Sequence, residues 1–251
     1  MPKKLPSKLA KVPIAEAVCE LRIGGAVPLH NVIPGLLMSK FPGQVRDVMP
    51  LPAASIPEPI RAAEATFAHV ALTRFKWRDL TVLVGTRVLT ISHVPPYLGW
   101  SGFKGLITEL FRSVLVDEIT PSIERYSLKY QNLFRFDEDP KPDTVLDLTL
   151  QLGGLALKPA ATILRGEVVA EDLVTIVQIA QSAALQVEGK APAQGLLLDV
   201  DTVSTTPAMP CVEFLNQMDT RLELIRLANK TVFFECLRDE AIVALGATYA
   251  E

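Results

Sequence analysis

The chain has little of what catalytic and metal sites are commonly built from. It carries three histidines in 251 residues. His30, His69 and His93 stand at none of the HxH, HxxxH or HxxE spacings that would put two ligands, or a ligand and a base, on one face of an element. Three cysteines, Cys19, Cys211 and Cys236, are odd in number and far apart, which excludes a disulfide framework and a CxxC metal knuckle. A GxSxG nucleophile elbow is missing. So is a P-loop, because the pair Gly189-Lys190 lacks the upstream glycine and the following Ser or Thr. Gly153-Gly154 within LQLGGLAL (150–157) is not a GxGxxG turn, so dinucleotide binding has no support.

An excess of positive charge is also lacking. Lys and Arg number 25 against 28 Asp and Glu, for a net charge of −3 and an isoelectric point near 5.7. Affinity for a polyanion comes chiefly from clustered Lys and Arg, so a dedicated nucleic-acid binder is disfavoured. No run approaches the roughly 18 apolar residues of a membrane span. The opening MPKKLPSKLAKVP is basic without the apolar core of a signal peptide, and the expected location is the cytoplasm.

What is present is a globular α+β pattern, with 49% hydrophobic and 21% charged residues. The length suffices for one large domain or two smaller ones. Residues 15–23 alternate, with Ala15, Ala17, Cys19, Leu21 and Ile23 on one face and Glu16, Glu20 and Arg22 on the other, which predicts a half-buried strand with a solvated acidic face. Helical spacing covers 28–41 and Pro42-Gly43 ends it. The proline-rich 50–62 reads as a surface loop before a strand over 66–77, on which His69 joins Phe67, Ala71, Phe75 and Trp77 as a core-edge residue. A hairpin (80–84, 87–93) follows. Phe103, Leu106, Ile107, Leu110, Phe111, Val114 and Leu115 then predict a strongly amphipathic helix over 100–118.

Over 122–136 the alternation is long. Tyr126, Leu128, Tyr130, Phe134 and Phe136 share one face, and Arg125, Ser127, Lys129, Gln131 and Arg135 the other. The charged DEDPKPD (137–143) is the expected linker. Strands at 144–151, 161–169, 172–181 and 194–203 precede a final helix over 210–238. The expected architecture is two similar halves, 13–136 and 144–251, each an antiparallel sheet covered by a long helix. A tail over 1–12 precedes them, and the recurrence suggests a diverged duplication.

Three constellations could carry function. Arg74, Lys76 and Arg78, together with Arg125, Lys129 and Arg135, would form one basic patch if their strands were neighbours, able to meet single-stranded nucleic acid or an acidic protein surface. Glu124 and Asn132 fall on the face of Tyr126 and Tyr130, where a polar network outweighs a catalytic acid. Leu215, Met218, Leu222, Ile225 and Asn229 recur at steps of three and four. They make a seam that would face a second chain or, with greater weight, the protein's own sheet. Asp199 and Asp201 share a strand face and, near Glu167, Glu171 or Asp172, could hold magnesium; a solvent-facing edge is the commoner outcome.

The blocks PIAEAVCELR (13–22), PYLGWSGF (96–103) and IERYSLKYQN (123–132) occur in an order that resembles a sporadically distributed bacterial family of about this length. The resemblance reaches from 13 to 132, with a weaker echo in the C-terminal helix. That family is found in mobile or defence-associated gene neighbourhoods and has no assigned catalytic residues. Read physically, Tyr97, Trp100 and Phe103 would close one end of the core, with Gly99 allowing the bend into the helix. The resemblance and the missing catalytic constellation imply a non-enzymatic protein-interaction module without metal or cofactor. It would be an accessory or sensor component of a bacterial defence or mobile-element system, partnered by a protein encoded nearby or by a second copy of itself. Single-stranded nucleic-acid binding through the basic strand face, and small-ligand binding between helix 100–118 and its sheet, are the alternatives.

Overall fold

A computed structural model describes residues 3–149, 153, 163–185 and 192–249. LQLGGLAL apart from Gly153, and the Gly189-Lys190 pair, lie outside the described residues. In chain order the elements are β1 (Lys8–Leu9), β2 (Ile14–Gly24), α1 (Leu29–Lys40), β3 (Val45–Pro50), α2 (Glu58–Ala63), β4 (Ala71–Trp77), β5 (Leu80–Gly85) and β6 (Val88–His93). They continue with α3 (Gly99–Val114), β7 (Ser122–Arg135), β8 (Ile163–Ala170), β9 (Leu173–Leu185), β10 (Ala193–Ser204), β11 (Met209–Pro210), α4 (Cys211–Glu235), α5 (Asp239–Ala244) and β12 (Ala247–Thr248). The fold is α+β, built of antiparallel strands with the long C-terminal helix packed on the sheet.

The chain divides into two compact units, neither of them a contiguous stretch. The first comprises Met1–Ala17, Lys129–Val203 and Ile225–Glu251, and the second Val18–Leu128 and Ser204–Leu224. Strands β2 and β7 and helix α4 each give residues to both. The charged segment 137–143 lies wholly inside the first unit.

In the second unit the strand order is β3-β4-β5-β6-β2-β7. The alternation read over 15–23 is realised, since Ala17, Cys19, Leu21 and Ile23 are fully buried. Helix α3 covers this sheet through Phe103, Ile107, Leu110, Phe111 and Val114, all without solvent exposure, which is what an amphipathic stripe of that width requires. Gly99 opens the helix at φ 76°, a left-handed backbone that glycine adopts without strain. In the first unit the order is β7-β10-β9-β8. Its core joins Leu196, Leu198 and Val200 of β10 to Phe233, Phe234 and Leu237 at the end of α4 and beyond.

Three expectations change. The strand predicted over 66–77 begins only at Ala71, because residues 65–67 form a 3-10 turn whose carbonyl at Phe67 accepts the Val70 N–H. The loop predicted over 50–62 contains the short helix α2, whose Arg61 guanidinium donates to the Ile56 and Ala54 carbonyls. Residues 144–149 make no strand; a single bridge joins Leu146 to Leu237. Val145 and Leu146 are buried in the core of the first unit, so the apolar spacing there records docking rather than a ladder.

Candidate functional site

In the second unit β2 lies beside β7, so the blocks 13–22 and 123–132 supply neighbouring strands. Glu20 projects from the face of β2 opposite its buried residues and accepts from Arg125 Nη2 at 2.9 Å and from Arg22 Nε at 3.2 Å. Next to this triad is a second one. Glu124 is ion-paired with Arg87, from the turn between β5 and β6, and His69 Nε2 lies 3.7 Å from its other oxygen. Gly24 makes room for this arrangement, because a Cβ there would collide with the Ser122 hydroxyl and crowd the Glu124 carboxylate. Burial pushes the His69 imidazole below its ordinary pKa; Arg22 and Arg87 push the same way, with Glu124 and Glu20 opposing. The cluster of three arginines, two carboxylates and a neutral imidazole is half-buried rather than sealed, and its charges are largely matched.

The six cations predicted to form one patch are not brought together. Strands β5, β6 and β2 stand between β4 and β7. Lys76 donates to Thr81 Oγ1 at 2.7 Å. Arg78 has left the strand altogether. It sits at φ 52° in the two-residue turn closed by the Trp77–Leu80 pair and grips Glu109 of α3 with both Nη atoms, at 2.7 and 2.6 Å. That contact raises its pKa above the usual guanidinium value. In the first unit Lys129 pairs with Asp199 at 2.7 Å and Arg135 with Asp137 at 2.9 Å.

Glu124 and Asn132 belong to different networks. Ile123 and Tyr126 are both buried with Glu124 and Arg125 half-buried between them, so the strict alternation of β7 breaks there and Glu124 turns to Arg87. Asn132 instead donates to the carbonyls of Leu198, at 3.1 Å, and Tyr130. The seam residues Met218, Leu222, Ile225 and Asn229 are buried within the single chain, and Asn229 Nδ2 donates to the Val200 carbonyl at 2.9 Å. A second chain could reach them only by displacing the sheet. Leu215 is half-buried.

Asp199 is only 5% exposed and also accepts from Gln131 Nε2 at 3.3 Å. Of the acids considered beside it, Glu167 lies elsewhere. β9 separates β8 from β10, and Glu167 pairs with Arg165 along β8. Among the described residues no group of three or more His, Cys, Asp or Glu side chains could hold a metal ion. Among the described residues, too, no helix is long and apolar enough to cross a membrane.

The block 96–103 acts as a clamp and as a plug. Tyr97 and Phe103 stack edge-on with centroids 6.2 Å apart, each about as far from His93. Trp100 Nε1 donates to Glu223 of α4 at 3.0 Å, and Lys104 binds the same carboxylate at 2.8 Å. In the first unit a pocket of about 350 Å3 is lined by Lys11, Pro13, Phe134, Arg135, Asp139 and Pro140 among others.

Sequence reasoning missed Arg87 and His69 as partners of Glu124 and read Glu20 as solvated. A signal was available in part: Glu20 and Arg125 lie on the polar faces of two alternating strands. The adjacency of those strands has no local signature. No family model matches the sequence and no curated protein does.

Proposed function

We propose that the protein is a non-enzymatic protein-interaction module whose docking surface centres on the face carrying Glu20, Arg22 and Arg125. The observation that supports it most is the pairing of charges. Arg125 with Glu20, Arg87 with Glu124 and Arg78 with Glu109 are joined at ion-pair distance. A polyanion gains affinity by meeting cations whose own counter-charges can leave as ions, whereas tethered carboxylates stay and repel phosphate. A mosaic of fixed opposite charges instead selects a protein surface with the complementary mosaic and suppresses wrong partners. The resemblance of the three blocks to a bacterial family makes an accessory or sensor role in defence or mobile-element biology the fitting context.

The experiment is affinity capture from the native host with nuclease-treated controls, run on wild type and Arg125→Glu in parallel. The reading expects a stoichiometric protein that survives nuclease and is lost from the variant, with melting temperatures of the two within a few degrees, as for partly exposed charges (about 0–1 kcal/mol). Recovery that depends on co-purifying nucleic acid would overturn it.

A further inference from the structure

Strand β8 ends the strand order of the first unit, and among the described residues no strand pairs with its outer edge. Its eight residues, ILRGEVVA, pair with β9 along their whole length, from Ile163 opposite Ala180 to Ala170 opposite Leu173, without a register shift. The outer side of such a strand presents backbone N–H and C=O groups in the spacing another strand needs. Edges are ordinarily blunted by proline, bulges or charges, and β8 has neither proline nor bulge. It has apolar side chains in water instead: Ile163 is 81% exposed, Val169 72% and Val168 47%. Between them sits a single ion pair, Arg165 to Glu167 at 2.9 Å.

The order of these residues is self-complementary. When β8 pairs antiparallel with β8 of a second copy about a two-fold axis at Gly166, Arg165 stands opposite Glu167 of that copy, and Glu167 opposite its Arg165. In the same register Ile163 meets Val169 and Leu164 meets Val168, at both ends of the strand. Side chains alternate with a period of two, so the axis must pass through a residue for like faces to stay together. An axis at Arg165 would oppose two arginines, and one at Glu167 two glutamates. Moving it to Leu164 or Val168 leaves a charge facing an apolar residue. Gly166 alone satisfies the charges and the apolar pairs together, and among the described residues nothing lies within 4 Å of where its Cβ would be, so the sheet face is open at the axis residue.

We propose that β8 is a self-association edge, through which two copies of this chain join antiparallel about an axis at Gly166. The partner is a second copy because the sequence of the edge complements itself, which is the requirement of an isologous interface. This inference is independent of the charge-paired face in the second unit. One added strand pair covers less than the about 1,600 Å2 of a standard interface, so the dimer is a weak, concentration-dependent one.

Charge reversal tests it on the full chain by sedimentation velocity between about 1 and about 300 μM, a range that brackets weak association. The wild type should shift from monomer towards dimer. Arg165→Glu alone and Glu167→Arg alone should each weaken the dimer about tenfold or more, since opposed like charges destabilise cross-strand pairs and the symmetry counts each twice. The double variant R165E/E167R should regain wild-type association. An equimolar mixture of the two single variants should form a mixed dimer, because every opposed pair then has opposite signs. Circular dichroism keeps folding in view. A wild type that stays monomeric throughout, single reversals without effect, or a double variant that fails to recover overturns the proposal; a chain that fails as a dimer but captures another protein through β8 overturns it in favour of that occupant.

Discussion

At the scale of single residues, the three histidines share one physical condition. His30, His69 and His93 all have pKa values lowered below 6.5, in each case chiefly by burial. The unfolded chain takes up protons near 6.5 while the folded protein declines them, so the unfolded state binds more protons as pH falls below 6.5 and stability falls with it. Urea midpoints measured from pH 7.5 downwards should therefore decrease below 6.5, and His93→Phe should flatten that decrease; a flat profile would remove the histidines from the account. The thiols behave alike. Burial holds the Cys19 thiol well above the ordinary range and raises that of Cys211, against a lowering hydrogen bond from Thr120, and Cys236 is pushed up to about 11 by burial and by Glu235. Thiolate is the reactive form. All three cysteines should label slowly in the native protein and rapidly in denaturant, as followed by a thiol-reactive chromophore. Much of this was legible as burial: Cys19 follows from the alternation of β2. The partners of Glu124 were not, because Arg87 and His69 reach it from turns and loops that no periodicity marks.

At the scale of elements, the turn at Arg78 carries an unusual burden. A two-residue hairpin turn with positive φ at its first position ordinarily takes glycine there. Here the arginine accepts φ 52° while its guanidinium stacks over Trp77 at 4.6 Å and holds Glu109. Arg78→Ala keeps the backbone cost and loses those contacts, for about 1–3 kcal/mol discounted to the lower end by partial exposure. Arg78→Gly should recover about 1 kcal/mol relative to alanine, since glycine relieves the left-handed strain. Denaturation midpoints of the three proteins decide it. On α4, Asn229→Ala should cost about 1–3 kcal/mol by removing a buried hydrogen bond to the Val200 carbonyl, with no change in sedimentation, because the contact is within one chain. The helices and most strands were legible from their spacing. The order β5-β6-β2-β7 was not, since strand adjacency is decided by which faces can be buried together across long separations.

At the scale of the whole molecule, the two compact units are interleaved in sequence. Tyr126 packs on Phe214 with ring centroids 5.7 Å apart, so a fragment covering 13–136 lacks a wall of the unit that holds most of it. Expressed alone, 13–136 and 144–251 should each be poorly folded, and mixing them should restore dispersed amide spectra; independent cooperative melting of either would contradict the interleaving. The pairing of Lys8–Leu9 with Ala247–Thr248 has a consequence in time. Ser7 and Lys8 find their hydrogen-bond partners only at Thr248, about 240 residues later. At a synthesis rate of about 5–20 residues per second, the start of the chain leaves the ribosome roughly 10–50 s before the strand that completes it exists. During that interval Lys8 and Leu9 wait without the strand they pair with, and Tyr126 of β7 without the Phe214 ring that packs on it.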